Sequence, residues 1–164
     1  MLLEKIGGHE MKYVLCSGGL GNQMFQYSFY KALQDKYNDV IFDISYFDNI
    51  KCHSGYRLEE AFLIKDGENY INHFSFVYRM IYKLSRQFPR LGEKLKVYYE
   101  TPNTPILLNQ KLNTDAILFG YWQGENACKI TSQKAKELFQ FKNISTDVRK
   151  IANKMSEEVS VIIH

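Results

Sequence analysis

The run Ser17-Gly18-Gly19-Leu20-Gly21-Asn22-Gln23 sets three clustered glycines between two patterned segments. Before it lies a short apolar stretch, Tyr13 to Cys16; after it Phe25, Phe29, Ala32, Leu33 and Tyr37 recur at three- and four-residue steps. Such a strand-to-helix junction is chemically suited to anions. Glycine lets the backbone take positive φ and approach a ligand with no Cβ in the way, and Asn22 is a good N-cap. Free N–H groups at a helix start, with the helix dipole behind them, favour a phosphate or carboxylate. Gly18, Gly19, Gly21, Asn22 and Gln23 are therefore candidate binding residues, against a structural reading in which Asn22 only caps its helix and Gln23 faces solvent. A second candidate group is Tyr121, Trp122 and Gln123, just after the apolar run Ala116 to Gly120. An indole face can stack on a sugar ring and an amide can bond its hydroxyls, while the competing reading of Trp122 is core packing.

Other phosphate sites fit less well. A dinucleotide fingerprint beginning at Gly19 meets Met24 at its third glycine position, where close packing of helix on strand needs a small residue. Asp43 stands where an acidic side chain meets a ribose hydroxyl, which keeps a nicotinamide-dependent oxidoreductase as an alternative. No Gly-Lys-Ser or Gly-Lys-Thr follows the glycines, and a P-loop is excluded. Nor does an Asp-x-Asp pair occur, with Asp43 and Asp48 five residues apart, so a transfer reaction run from this chain is expected to use no metal. Cys16, Cys52 and Cys128 lack zinc-ligand spacing and indicate neither a metal site nor a disulfide framework; a reducing compartment is the natural setting.

The ten residues Gly18 to Tyr27, Gly-Gly-Leu-Gly-Asn-Gln-Met-Phe-Gln-Tyr, resemble the opening motif of glycosyltransferase family 11, the α-1,2-fucosyltransferases that use GDP-fucose. Phe119-Gly120-Tyr121-Trp122-Gln123 and Arg57-Leu58-Glu59-Glu60-Ala61-Phe62 are similar to two further elements of that family, in the same order. The resemblance implies an inverting, metal-independent transfer of fucose from GDP-fucose to the 2-hydroxyl of a galactoside, with no cofactor. It implies a GT-B-type architecture, of which this chain is the N-terminal, Rossmann-like half. It also places Gly19, Gly21, Asn22 and Gln23 in the interdomain cleft. In the family a strand of the kind at 159–163 leads into a His-x-Arg-Arg-Gly-Asp motif whose arginine is implied to contact the donor diphosphate. His164 is then the candidate first residue of that motif, and the chain is expected to be a fragment, inactive by itself. A non-enzymatic module that binds carbohydrate or a membrane is the alternative from another class.

These groups need a frame. Periodicity and turn residues predict strands at 12–16, 39–45, 96–100, 116–121 and 159–163 and helices at 22–37, 70–88, 132–140 and 146–157. The alternation argues for an α/β fold, a doubly wound parallel sheet with ligands at the carboxyl ends of its strands. Residues 1–10 read as an upstream start or a disordered leader and 11–164 as one domain. The whole chain of 164 residues has 45% hydrophobic residues and a net charge of +3, ordinary globular material with too little charge to argue for nucleic acid. Its bases are unevenly spread. Over 74–97, Arg79, Lys83, Arg86, Arg90, Lys94 and Lys96 are opposed only by Glu93 and interleaved with large apolar residues, a basic amphipathic helix. One reading is a core-facing helix with a solvated basic face, and the sharper one is peripheral attachment to an anionic membrane. No apolar run approaches the roughly 20 residues of a membrane span, and the setting expected is cytoplasmic, peripheral to the inner membrane.

Overall fold

The computed structural model describes residues 11–48, 55–64, 70–71, 80–81, 83–85, 87–100 and 115–161. Five strands form one sheet: β1 (Lys12–Leu15), β2 (Val40–Asp43), β3 (Tyr70–Ile71), β4 (Val97–Tyr99) and β5 (Ala116–Phe119), in the order β3-β2-β1-β5-β4. Every pairing is parallel, with Val14 beside Phe42 on one side and Leu118 on the other. The expected doubly wound α/β architecture is therefore present. Its helices are α1 (Leu20–Gln34), α2 (Leu58–Ala61), α3 (Pro89–Lys94), α4 (Glu125–Leu138) and α5 (Thr146–Glu157).

Side chains alternate across β1 and β2, and each face finds its own cover. Val14, Cys16, Val40 and Phe42 belong to the larger core, with Tyr27, Phe29, Tyr30 and Leu33 from the inner face of α1. Phe42 lies at the centre of it, with the rings of Tyr27, Tyr30 and Tyr56 at 5.5, 5.2 and 6.5 Å. Lys12 is fully buried on this face, and its Nζ sits 5.2 Å from the Tyr37 ring centroid, a cation–π contact that offsets part of its desolvation. On the opposite face Val97, Ile117 and Phe119 pack with Tyr13, Leu15, Ile81, Leu95 and Tyr99.

The elements depart from the sequence pattern in four places. Tyr70 and Ile71 form β3 rather than the start of a helix, because pairing with Phe42 and Asp43 outweighs a weak local preference. Helix α4 starts at Glu125, seven residues before the expected 132, with Gly124 as N-cap and the Glu125 carboxylate in its first turn. Helix α1 starts at Leu20 and ends at Gln34, earlier at both ends than 22–37, and Phe25 on it is 36% exposed rather than core. Residues 158–161 are not a strand, and Val159 and Val161 lie in the open, since no strand is beside them to complete a ladder among the described residues. Residues 1–10, 72–79 of the basic segment and His164 fall outside the described residues.

Helix α5 forms as its sequence dictates. Ser145 caps it by accepting from the Val148 N–H at 3.3 Å, Asp147 lies in its first turn and Lys154 in its last. None of its residues is buried, and Val148 and Ile151 are 56% and 60% exposed.

Asp43, at the end of β2, is 1% exposed; its Oδ1 accepts from the Ser45 N–H at 2.9 Å and its Oδ2 has no hydrogen-bond partner among the described residues. Burial pushes its carboxyl pKa above the ordinary value, an effect only partly opposed by Ser45. The folded chain thus keeps a proton at pH values where the unfolded chain has released it, so stability falls as pH rises from the ordinary carboxylate range through the folded pKa. Asp43→Asn keeps the acceptor for Ser45 and removes the charge. It is expected to raise the urea midpoint near pH 7, with the gain shrinking as pH falls through the folded pKa and gone below the ordinary carboxylate value, about pH 4. A lowered midpoint near pH 7 would show that the carboxylate is needed as a charge.

Candidate functional site

The carboxyl edge of the sheet gathers the loops after β1, β4 and β5, with the segment at Gly55 to Arg57 beside them. Two glutamines of α1 tie this edge together. Gln23 is fully buried: its Nε2 donates to the carbonyls of Gly18 and Gly55, each at 2.9 Å, and its Oε1 accepts from the Arg57 N–H at 2.9 Å. Gln26, 1% exposed, ties the same β1 loop to the loop after β5. Its Oε1 accepts from the Ser17 N–H at 2.9 Å, and its Nε2 donates to the Gly120 carbonyl at 2.9 Å. Buried backbone polar groups in turns have no ladder to join, and these two amides supply the missing partners.

The glycine turn is correspondingly tight. Gly18 has φ +81°, and a Cβ there would lie 2.7 Å from Asn22 Nδ2 and 3.3 Å from the Tyr121 ring. Only glycine fits both the conformation and the space. Gly19 is the N-cap of α1 with no side-chain cap, and no acidic residue stands in the first turn. The N-terminal N–H groups and the dipole of this helix are thus presented without a competing carboxylate. Gly21 differs from Gly18. Outside its own turn of helix, no atom of the described residues lies within 4 Å of a Cβ built on it, and its φ is not in the left-handed region.

The loop after β5 is held from the neighbouring strand. Glu100, directly after β4, accepts through Oε2 from the N–H groups of Tyr121 at 2.8 Å and Trp122 at 2.6 Å, and through Oε1 from Gly124 at 3.0 Å. Trp122 stands at φ +57°, a left-handed conformation that costs a bulky residue about 1–2 kcal/mol. Three hydrogen bonds to one carboxylate outweigh that strain. Close approach of the two strands' ends also explains Gly120, where a Cβ would fall 2.5 Å from Glu100 Cβ.

The structure therefore divides the expected site residues into two groups. Trp122 is 3% exposed and stacks on Phe29 with centroids 4.0 Å apart at 9°, so it serves the core and one of its faces is taken. Gln23 likewise has its whole amide committed to backbone. Asn22, Tyr121 and Gln123 remain at the surface: Tyr121 is 44% exposed, and Gln123 Nε2 donates to Asn22 Oδ1 at 2.8 Å across the gap between the two loops. Gly18, Gly19 and Gly21 adjoin them. Arg57 belongs to the same edge through its backbone bond to Gln23, with its Nε paired to Glu60 Oε2 at 2.9 Å and about half of its side chain exposed. Asp43 is buried in the sheet rather than offered to a ribose, and the nicotinamide reading loses its one supporting residue. The Cys16 thiol is fully buried and its pKa is pushed well up by that burial, so it is no nucleophile. Glu100 had no sequence signal, because its role depends on β4 lying beside β5.

The chain's single tryptophan reports on this loop directly. Glu100→Ala leaves three N–H groups without their acceptor, and is expected to cost about 1–3 kcal/mol of stability, shift the Trp122 emission to the red and raise its quenching by acrylamide. Glu100→Gln, which retains one acceptor oxygen, should fall between. Unchanged emission in the alanine variant would mean that Gln26 and Gln123 hold the loop without Glu100.

No family model matches the chain, and no solved structure does. Among curated proteins, an alpha-1,2-colitosyltransferase of Escherichia coli is 28% identical over 154 residues, covering 90% of this chain and 51% of the relative. The chain spans about half the length of that relative. Along nine-tenths of its length, then, the chain is similar to a glycosyltransferase.

Proposed function

We propose that this domain is the Rossmann-like half of an inverting α-1,2-glycosyltransferase. It moves a deoxyhexose, fucose in the first instance, from its GDP-linked donor to the 2-hydroxyl of a galactoside. One observation supports the reading: Gly21, in the first turn of α1, has neither a conformational reason nor, among the described residues, a packing reason to be glycine. Glycine there costs helix stability relative to alanine, and a ligand lying against the turn is the physical reason for it. The uncapped helix start suits a diphosphate. Negative charge grows on that group as the glycosidic bond breaks, so N–H donors fixed before the reaction stabilise the transition state more than the ground state. Asn22 and Gln123, already bonded to each other, present amide groups for sugar hydroxyls, and the exposed Tyr121 ring beside them presents an apolar face.

The colitosyltransferase relative supports the transfer class and the linkage. Colitose is fucose without its 3-hydroxyl, so the two donors differ in one polar group, and a site that hydrogen-bonds that hydroxyl rejects the deoxy sugar strongly. The diphosphate is held, in this reading, between the sheet edge and a second lobe, and the exposed apolar stripe of α5, Val148 and Ile151, is the face available to such a lobe.

Gly21→Ala tests the site. The variant is expected to keep its thermal stability or gain up to about 1 kcal/mol, while affinity for GDP-fucose, measured calorimetrically, falls tenfold or more. In the intact transferase, transfer to lactose should persist with a chelator present and drop with the same substitution. A destabilised variant that binds the donor normally would return Gly21 to a structural role. Transfer only from GDP-colitose would keep the fold of the reading and change its donor.

A further inference from the structure

Across the sheet from α1, the chain is helical at residues 80–81, 83–85 and 87, turns at Phe88, and continues as α3. The turns are linked by bonds from Phe88 N to the Leu84 carbonyl at 2.8 Å and from Gly92 N to the Phe88 carbonyl at 3.2 Å. Its inner face is complete. Ile81 and Leu95 pack on the β4–β5 cluster, and Ser85, 1% exposed, donates to the Ile81 carbonyl and pairs with the Tyr99 hydroxyl. Gly92 lets the two helical segments close on Ser85, where a Cβ would meet the serine Cβ at 3.1 Å.

The outer face is not what a solvated helix carries. Met80, Leu84 and Phe88, at four-residue steps, are 47%, 37% and 58% exposed. Single exposed apolar residues need no explanation, but a ridge of three large ones on one helix does. Lys83, Arg90 and Lys94 are exposed along the same helical stretch. In sequence, residues 79–96 hold six Lys or Arg against Glu93 alone. Phe88 stands at the corner made where Pro89 begins α3, the most exposed of the three.

We infer that this ridge is a docking surface for an anionic lipid bilayer, with Met80, Leu84 and Phe88 entering the headgroup boundary and Lys83, Arg90 and Lys94 meeting lipid phosphates. Charge of one sign beside an apolar ridge decides for a lipid surface over a protein, since a protein partner of this chain would be matched by charges of both signs. The inference is independent of the transfer reaction, because the ridge lies on the other face of the sheet from α1.

The test is co-sedimentation of the chain with vesicles of phosphatidylcholine alone and with about a third phosphatidylglycerol. The chain is expected to partition to the anionic vesicles, and to lose that binding at high salt. Phe88→Ala should weaken partitioning roughly tenfold and Lys83→Glu with Arg90→Glu by at least as much, with melting temperatures unchanged because all three sites are exposed. Equal partitioning to neutral and anionic vesicles, none to either, or insensitivity to Phe88→Ala would overturn the inference. So would concentration-dependent self-association that Phe88→Ala abolishes, which would assign the ridge to a second copy of this chain.

Discussion

Two side-chain amides on the first turns of α1 carry the organisation of the sheet's carboxyl edge. Gln23 and Gln26 between them bond backbone groups of Ser17, Gly18, Gly55, Arg57 and Gly120, so three segments that share no ladder are fixed by one helix. Each amide has a donor and an acceptor end, which is what a meeting of N–H and carbonyl groups from several loops requires. An apolar side chain of the same volume would fill the space and leave those groups unpaired in a dry setting, at about 1–3 kcal/mol each. The buried polar network is worth its desolvation only because it is satisfied throughout.

From this constraint the rest of the site follows. With Gly18 held at its carbonyl and forced to φ +81°, the chain enters α1 at one angle, and Asn22 and Gly21 face outward while Gln23 faces in. Gln26 also grips Gly120, which fixes the β5 loop against the β1 loop and brings Gln123 to Asn22. Glu100 then settles the remaining freedom of that loop by holding Trp122 in its left-handed conformation. The stacked Phe29–Trp122 pair closes the same joint from the core side. A rigid frame behind a small exposed polar surface is the arrangement that keeps donor groups pointed at a ligand without reorganisation.

Much of this was legible in the residues, and the gaps have physical causes. Glycines followed by a helical period located the turn, and the alternation of strands with helices gave the parallel sheet, because both signals are local. The inner stripe of α1 was read correctly at Phe29, Ala32 and Leu33 and incompletely elsewhere. Gln23, Gln26, Tyr27 and Tyr30 also belong to it and Phe25 does not, because a count of apolar residues passes over buried amides and phenols. A buried glutamine looks polar in a periodicity and apolar in a structure, and its backbone partners, of which Gly55, Arg57 and Gly120 lie 32 to 94 residues away in sequence, distinguish the two. Glu100 was invisible for the same reason, since a carboxylate at a strand end gains a role only when another strand's loop is set beside it. The two-residue strand β3 exists by virtue of β2, and no local propensity can announce it.

Two apolar faces of this domain remain without a partner among the described residues, and their charges separate their uses. On α5 the exposed Val148 and Ile151 are surrounded by Asp147, Arg149, Lys150, Lys154 and Glu157, a mixture of both signs that complements a protein surface with its own mixed charges. Beside the ridge of Met80, Leu84 and Phe88 the charges exposed among the described side chains, Lys83, Arg90, Lys94 and Lys96, are all positive. Apolar area alone is silent about what covers it, since a lipid boundary and a protein core both reward its burial. The sign pattern around it is not silent: mixed charge gives register and excludes wrong partners, whereas charge of one sign gives attraction to an extended surface with no register at all. On the proposed readings, the ligand edge at the β1 and β5 loops and the lipid-facing ridge across the sheet from α1 occupy separate parts of the fold, so that each can be engaged without displacing the other.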